Sequence, residues 1–329
     1  MTVLNHNPSM GYRQLGRTGL TLSEVGLGGH WKNREGGRYW DAFDNDDLPA
    51  DVARNRTEVV SAAIEAGINY LDVTTAAECI AYGAALKGRR DRMYVGADDC
   101  LGGARNPGGC TVQRLVQAVD NCLRRLQTDY LDLWRVAAGI DPPNDDDEVA
   151  AIVEAAQVLK AAGKIRYFGI SAHHRDWLQH VVTQFPAVEV ILFPCTARTR
   201  PSGSTAGREE EGILEAARAR NVGMIAIKPF LGGSLFKTPA WFPVVTPPIK
   251  SEDELARLAL RTILSRFDAI TSVVAGCTTM HEVENAAKAS LPASSSLTPA
   301  QVNHLQQALA QQMAGLPARQ RWIREWDTL

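Results

Sequence analysis

Residues 63–74 read AIEAGINYLDVT. Ala62, Ala63 and Ile64 close a helical pattern, and Gly67 stands where that helix must stop, because glycine enters the left-handed cap conformation without steric cost. Ile68, Tyr70 and Leu71 then form a short buried strand that finishes on Asp72. A buried strand ending on a carboxylate straight after an amphipathic helix is one α/β unit. Where such units recur in a closed barrel, the strand ends form the mouth, and active sites are built there.

Working outward, the same unit recurs along the chain. Residues 12–23 alternate around Arg17-Thr18-Gly19 and predict a β-hairpin with a positive φ at Gly19. Val25 to Gly29 is a buried strand running into His30 and Trp31, and Lys32 to Ala53 is expected as a long loop on its exit side. A helix is expected over Asn55–Ala66. Further strands are expected at 93–97, 130–136, 165–170, 188–193, 224–227 and 270–275, each followed by a helical segment. Strand-then-helix alternation demands a parallel sheet with helices outside. Eight units fit a (β/α)8 TIM barrel of the α/β class better than an open sheet, and no GxGxxG follows the first strand. The expected organisation is one barrel domain over 1–329: an N-terminal hairpin plug (12–23), the barrel (24–290) and a C-terminal helical tail (291–329).

The 329 residues carry a net charge of −2, which gives no electrostatic case for nucleic acid or an anionic membrane. No apolar run spans a bilayer, and the N-terminus lacks the zones of a signal peptide. The six cysteines show neither CxxC pairs nor disulfide-framework spacing, which points to reduced thiols and a cytoplasmic location. Trp322 and Trp326 in the tail pack either on the barrel or on a partner chain, so a homo-oligomer stays open.

Several segments resemble the aldo-keto reductase superfamily: YRQLGRTGLTLSEVGLGG (12–29), EAGINYLDVT (65–74), ALKGRRDRMYVGA (85–97), LRRLQTDYLDLW (123–134), LKAAGKIRYFGIS (159–171), IAIKPFLGG (225–233), LALRTILS (258–265) and VVAGCTTMHEVENAAKA (273–289). They run in the family's order. The resemblance implies reduction of small carbonyls, or oxidation of alcohols, with a nicotinamide cofactor, NADP(H) or NAD(H). It also implies a catalytic tetrad of Asp, Tyr, Lys and His, in which a neighbouring cation tunes the phenol. Carried over position by position, the aspartate is Asp72, but Ala77 stands for the tyrosine, Asp98 for the lysine and Ala137 for the histidine. Two carboxylates, Asp72 and Asp98, are then expected to raise each other's pKa. On the cofactor side, Ser171 matches the serine of the GIS motif and Ala172 replaces the asparagine after it. Glu282 and Asn285 roughly match the residues that hold adenine. After Gly276, Thr278 or its neighbour stands for the arginine that grips a 2′-phosphate, so the resemblance does not support NADP over NAD.

The residues expected at strand exits are His30, Asp72, Asp98, Asp99, Cys100, Arg135, His173, Cys195 and Lys228. Lys228 is the one cation placed at the mouth, as a ligand for cofactor phosphate or a substrate anion. A non-standard acid/base set is expected among Asp72, Asp98, His30 and His173, with Tyr39 folding over the mouth. Tyr82, inside a helix, is expected to pack. No close-spaced ligand pair indicates a metal. Two other readings stand beside oxidoreduction of a small-molecule substrate: a cofactor-independent lyase, isomerase or hydrolase using the mouth Asp and His residues, and a non-catalytic binding or regulatory protein on the same barrel.

Overall fold

The computed structural model describes residues 3–31, 47–98, 104–105, 109–140, 142–201, 212–236, 252–290, 297–314 and 318–329. Strands β1 (Tyr12–Gln14) and β2 (Thr21–Ser23) pair antiparallel as the expected hairpin, with Gly19 at φ 73°. Eight further strands form a closed parallel barrel: β3 (Val25–Gly28), β4 (Tyr70–Val73), β5 (Tyr94–Ala97), β6 (Leu131–Ala137), β7 (Ile165–Ser171), β8 (Val190–Pro194), β9 (Gly223–Ile227) and β10 (Ser272–Gly276), which pairs back onto β3. Helices alternate with them: α1 (Ala50–Glu65), α2 (Ala76–Leu86), α3 (Val112–Leu126), α4 (Asp146–Ala161), α5 (Arg175–Gln184), α6 (Ile213–Ala219), α7 (Glu252–Arg266) and α8 (Met280–Ala287), with α9 (Pro299–Ala314) in the tail. The expected (β/α)8 barrel is the observed fold.

The boundaries follow local chemistry. Gly67 sits at φ 89° directly after α1 and turns the chain into β4. Thr75, Thr111 and Asp145 accept backbone N–H groups at the starts of α2, α3 and α4, each satisfying a donor that the helix leaves unpaired. Several strand boundaries shift by a residue or two, as at Val190–Pro194 and Ser272–Gly276, and α1 shifts further. α1 begins at Ala50, so the last residues assigned to the long loop are helical. Pro49 explains the shift: at φ −59° it enters the helix preset and forfeits only an N–H that has no helical partner.

The barrel interior is packed. Leu15, Leu20 and Leu22 of the hairpin enter from below against Tyr70, Leu133 and Ile225. Gly16, at φ 47°, makes this approach possible, since a Cβ there would lie 2.3 Å from the Gly223 nitrogen. Arg13 secures the plug by donating to the carbonyls of Leu264, Phe267 and Ile270 at 3.0, 2.9 and 2.8 Å, a cation on the frayed carbonyls at the end of α7. With the base filled, the C-terminal strand ends are left as the mouth. In the tail, Leu305 and Leu309 of α9 pack on Leu255 and Leu258 of α7. Trp326 is buried and stacks on Phe193 with ring centroids 5.5 Å apart. Among the described residues, no helix is long and apolar enough to cross a membrane.

Candidate active site at the barrel mouth

Side chains alternate faces along a strand, so Tyr70 and Asp72 share the inner face of β4, as Leu133 and Arg135 do on β6. In register, Asp72 lies beside Gly28 on β3 and Gly96 on β5. Gly96 makes room for the tyrosine: a Cβ there would lie 2.3 Å from the Tyr70 hydroxyl. That hydroxyl donates to Asp72 Oδ1 at 3.1 Å. Arg135 reaches across from β6 and holds Asp72 bidentately, Nε to Oδ1 at 2.7 Å and Nη2 to Oδ2 at 2.8 Å. Its Nη2 also donates to Val73 O at 2.9 Å and Thr74 Oγ1 at 2.6 Å. Its Nη1 lies 3.6 Å from Asp98 Oδ2. All three charged groups are buried.

The electrostatics follow from that clamp. Burial works against the Arg135 charge, but the carboxylates of Asp72 and Asp98 outweigh it and hold the guanidinium above its ordinary pKa. Burial, then the Asp72 charge, push the Tyr70 phenol well above its usual value. The two carboxylates do not stand against each other alone, because the Arg135 guanidinium lies on both. Lys228 is also not the one cation at the mouth, since Arg135 and Arg105 share it.

The other side of the rim carries His173, two residues beyond β7, and Lys228, one residue beyond β9. Burial, followed by the charges of Lys228, Arg105 and His174, lowers the His173 pKa to about 3. The imidazole is therefore neutral at neutral pH. Burial, followed by Arg105 and Arg135, lowers Lys228 to about 8, with Asp72 pulling the other way. Lys228 is held at φ 60°, a region that residues other than glycine seldom occupy and that clusters at functional sites. Trp326 Nε1 donates to the His173 carbonyl at 2.8 Å, so the tail fixes the backbone of this exit.

The remaining expected site residues are placed as follows. His30 is exposed and its Nδ1 lies 2.5 Å from Glu78 Oε1. Glu78 is fully buried, and its other oxygen accepts from Thr74 N and Thr75 N at 2.7 and 3.1 Å. Ser171 ends β7 opposite Ala137, buried. Gly276 ends β10 so close to β3 that a Cβ would lie 2.2 Å from His30 O. Glu282 Oε2 accepts from Thr278 N at 2.6 Å and Thr279 N at 3.3 Å, closing the start of α8. Asn285 donates to Asp253 O at 2.9 Å. Tyr39, Asp99 and Cys100 lie outside the described residues. Tyr82 packs as expected. It is fully buried, donates to Gly28 O at 3.1 Å and is pushed to about 12 by burial. Burial likewise takes the Cys195 thiol to about 12, which makes it a poor nucleophile. Among the described residues, no group of three or more His, Cys, Asp or Glu side chains could hold a metal.

Arg56 belongs to none of the motifs that the sequence displays. It is fully buried on α1, sits 4.5 Å over the Trp31 ring, and donates to the carbonyls of Cys277 and Thr278 at 2.8 and 2.7 Å. Its signal was a charged residue on the apolar side of an amphipathic helix. For Arg135 the signal was a cation inside the apolar run LDLWRV, where a buried charge must find a partner.

Comparison with known proteins places this architecture. The model of the aldo/keto reductase family matches residues 43–240. The chain belongs to the aldo/keto reductase family. It is 29% identical to L-galactose dehydrogenase of Arabidopsis thaliana over 83% of this chain and 85% of that one. It is 30% identical to 6-dehydroglucose reductase of Novosphingobium aromaticivorans over 68% and 70%. Among solved structures, the holo form of aldo-keto reductase AKR11C1 from Bacillus halodurans superposes with a TM-score of 0.65 at 24% identity, covering 91% of this chain and 96% of that one. This structural likeness shows the barrel fold alone and leaves the site to its own geometry.

Proposed function

We propose that the protein is a nicotinamide-dependent oxidoreductase of small carbonyls or alcohols, working with an acid/base set other than the family's usual one. The observation that carries this reading is the polar mouth: a closed Asp72–Arg135–Asp98 clamp on one side and the neutral His173 imidazole on the other. A neutral imidazole of lowered pKa can donate a hydrogen bond to a substrate carbonyl and polarise it. In reduction, the carbonyl carbon would gain hydride from the reduced nicotinamide and its oxygen a proton at this rim. The reverse path would oxidise an alcohol.

The chain's own residues fit such a cofactor. Ser171 closes β7 at the mouth, and the turn after Lys228 carries Gly232 and Gly233 at φ 64° and 84°, with open space above Gly232. At β10 the amides of Thr278 and Thr279 already hold the Glu282 carboxylate, an anion where a 2′-phosphate would need a cation. Two relatives are named for redox chemistry on hexoses, which supports a polyol or sugar-like substrate. The Arg135 clamp weighs against a cofactor-independent reaction run by Asp72 and Asp98, since both carboxylates are engaged.

The test is tryptophan quenching by NADH and NADPH, with turnover of a hexose and aldehyde panel followed by nicotinamide absorbance. Quenching and turnover are expected. His173→Gln should keep the quenching and lower kcat by about 100-fold, the usual scale of a general acid/base contribution. Absence of quenching at millimolar cofactor would end this reading.

A further inference from the structure

Where the tail packs on the barrel helices, the chain encloses a cavity of about 190 Å³. Glu254, Arg257 and Arg261 of α7 line it, with Lys288 at the end of α8 and Gln301 in the first turn of α9. Residues 254, 257, 258 and 261 share one face of α7 by the helical period. Leu258 on that face packs against Leu305 and Leu309 of the tail. A helix face turned towards a packed partner is expected to be apolar. Here two of its positions are arginines.

The two arginines differ in what lies within reach. Arg257 follows Glu254 by three residues, the spacing at which side chains meet on a helix surface. Arg261 follows it by seven, roughly 10 Å along the axis. Nη2 of Arg261 is buried and has no hydrogen-bond partner among the described residues. A buried charged donor left in that state is rare and destabilising, and it calls for a ligand that accepts. Gln301 turns its Oε1 to Thr298 N and Oγ1 at 3.0 and 3.2 Å. The group it retains for the cavity is its Nε2, another donor. Arg257, Arg261, Lys288 and Gln301 thus bring donors to one cavity from three helices.

We infer that this cavity is a phosphate site, taking inorganic phosphate or a small phosphate monoester, with Arg261 and Arg257 as its main ligands. A phosphoryl group offers several charged acceptor oxygens, which a guanidinium meets two at a time. The volume lies below the ~300–1,000 Å³ of ordinary ligand pockets, so it suits a phosphoryl group and not a whole dinucleotide. A bound anion would tie α9 to α7 and to the end of α8, tightening the tail on the barrel. The site is independent of the oxidoreductase reading. A cofactor 2′-phosphate is the other source of the same chemistry. The position favours the free anion, because Lys288 stands at the opposite end of α8 from Thr278 and Thr279.

The experiment is calorimetric titration of the full chain with inorganic phosphate and with glycerol 3-phosphate, at an ionic strength held constant with chloride. Saturable binding is expected, together with a melting temperature that rises with phosphate concentration. Arg261→Gln should weaken the affinity at least about tenfold, the scale of one hydrogen bond to a charged group. Arg261→Lys keeps the charge and loses the planar fork, so it should still weaken binding several-fold. Arg257→Gln should do the same and carries the test if Arg261→Gln does not fold. Absence of saturable phosphate binding would overturn the inference. Full affinity in Arg261→Lys would also overturn it, by assigning the binding to loose surface charge. So would phosphate that displaces NADPH but not NADH in the quenching assay, which would give the cavity to the cofactor.

Discussion

Two corners of the mouth are built from the same short pattern, Thr74-Thr75-Ala76-Ala77-Glu78 at α2 and Thr278-Thr279-Met280-His281-Glu282 at α8. In each, the second threonine caps the helix and the glutamate reaches back to the two preceding amides, a capping box. In each, a buried arginine completes the corner. The difference lies in what that arginine holds. Arg135 comes from inside the barrel and binds, besides the Val73 carbonyl, the side chains of Asp72, Asp98 and Thr74, two of them carboxylates. Arg56 comes from the outer helix α1 and binds the main-chain carbonyls of Cys277 and Thr278 together with two neutral side chains, the Asn55 amide and the Tyr82 hydroxyl. A guanidinium on carbonyls and neutral side chains fixes the path of a turn. A guanidinium on carboxylates also sets the charge of the site. One local sequence thus serves a scaffold corner and a chemical corner, and the origin of the cation decides which.

The largest expected effect comes from breaking the chemical corner. Arg135→Met should cost about 3–5 kcal/mol in urea unfolding, because two buried carboxylates lose their counter-charge. Restoring neutrality with Asp72→Asn and Asp98→Asn in the same chain should recover much of that loss. If Arg135→Met alone is silent, the clamp is not the keystone of the mouth.

Acid should also separate the two sides of the molecule. The folded pKa of His173 lies near 3, below the unfolded value of 6.5. The unfolded chain therefore binds the extra proton between those values, and the stability attached to neutral His173 is intact above pH ~6.5 and lost as pH falls towards ~3. His173→Gln should flatten the dependence of unfolding free energy on pH across that window. Arg56→Met should leave the slope unchanged and lower stability by about 2 kcal/mol at every pH, the scale of leaving buried carbonyls without donors.

Much of this protein could be read directly from its sequence. Gly67, Gly163 and the capping threonines punctuate segments whose periods switch between strand and helix, so the order of eight units follows from local chemistry. The hairpin plug was equally legible, because Leu15, Leu20 and Leu22 alternate around a glycine turn. Arg135 was seen at a strand exit, but its role was not. Its partner Asp72 is 63 residues away on a strand that is not its neighbour, and only barrel closure with the period-two inner face brings them together. At α8 the resemblance drew Glu282 towards adenine, while the same five-residue pattern already spelled a capping box. The start of α1 was missed because a charged, aromatic stretch precedes it and Pro49 was not given its weight as a helix entry.

The smallest effects sharpen the comparison most, because they separate what the shared pattern contributes from what each corner adds. Glu282→Ala removes a cap at the scaffold corner and should cost about 1 kcal/mol by thermal unfolding. Glu78→Ala removes the same cap together with the His30 contact of a fully buried carboxylate, so it should cost more. The excess cannot come chiefly from the ion pair, since His30 is solvent-exposed and such pairs are worth only about 0–1 kcal/mol. His30→Gln should therefore shift stability by less than about 0.5 kcal/mol. If His30→Gln nonetheless lowers kcat while the melting temperature holds, His30 acts on the substrate. If both stay level, the Glu78 contact only parks an exposed ring at the rim, and the acid/base work lies with His173.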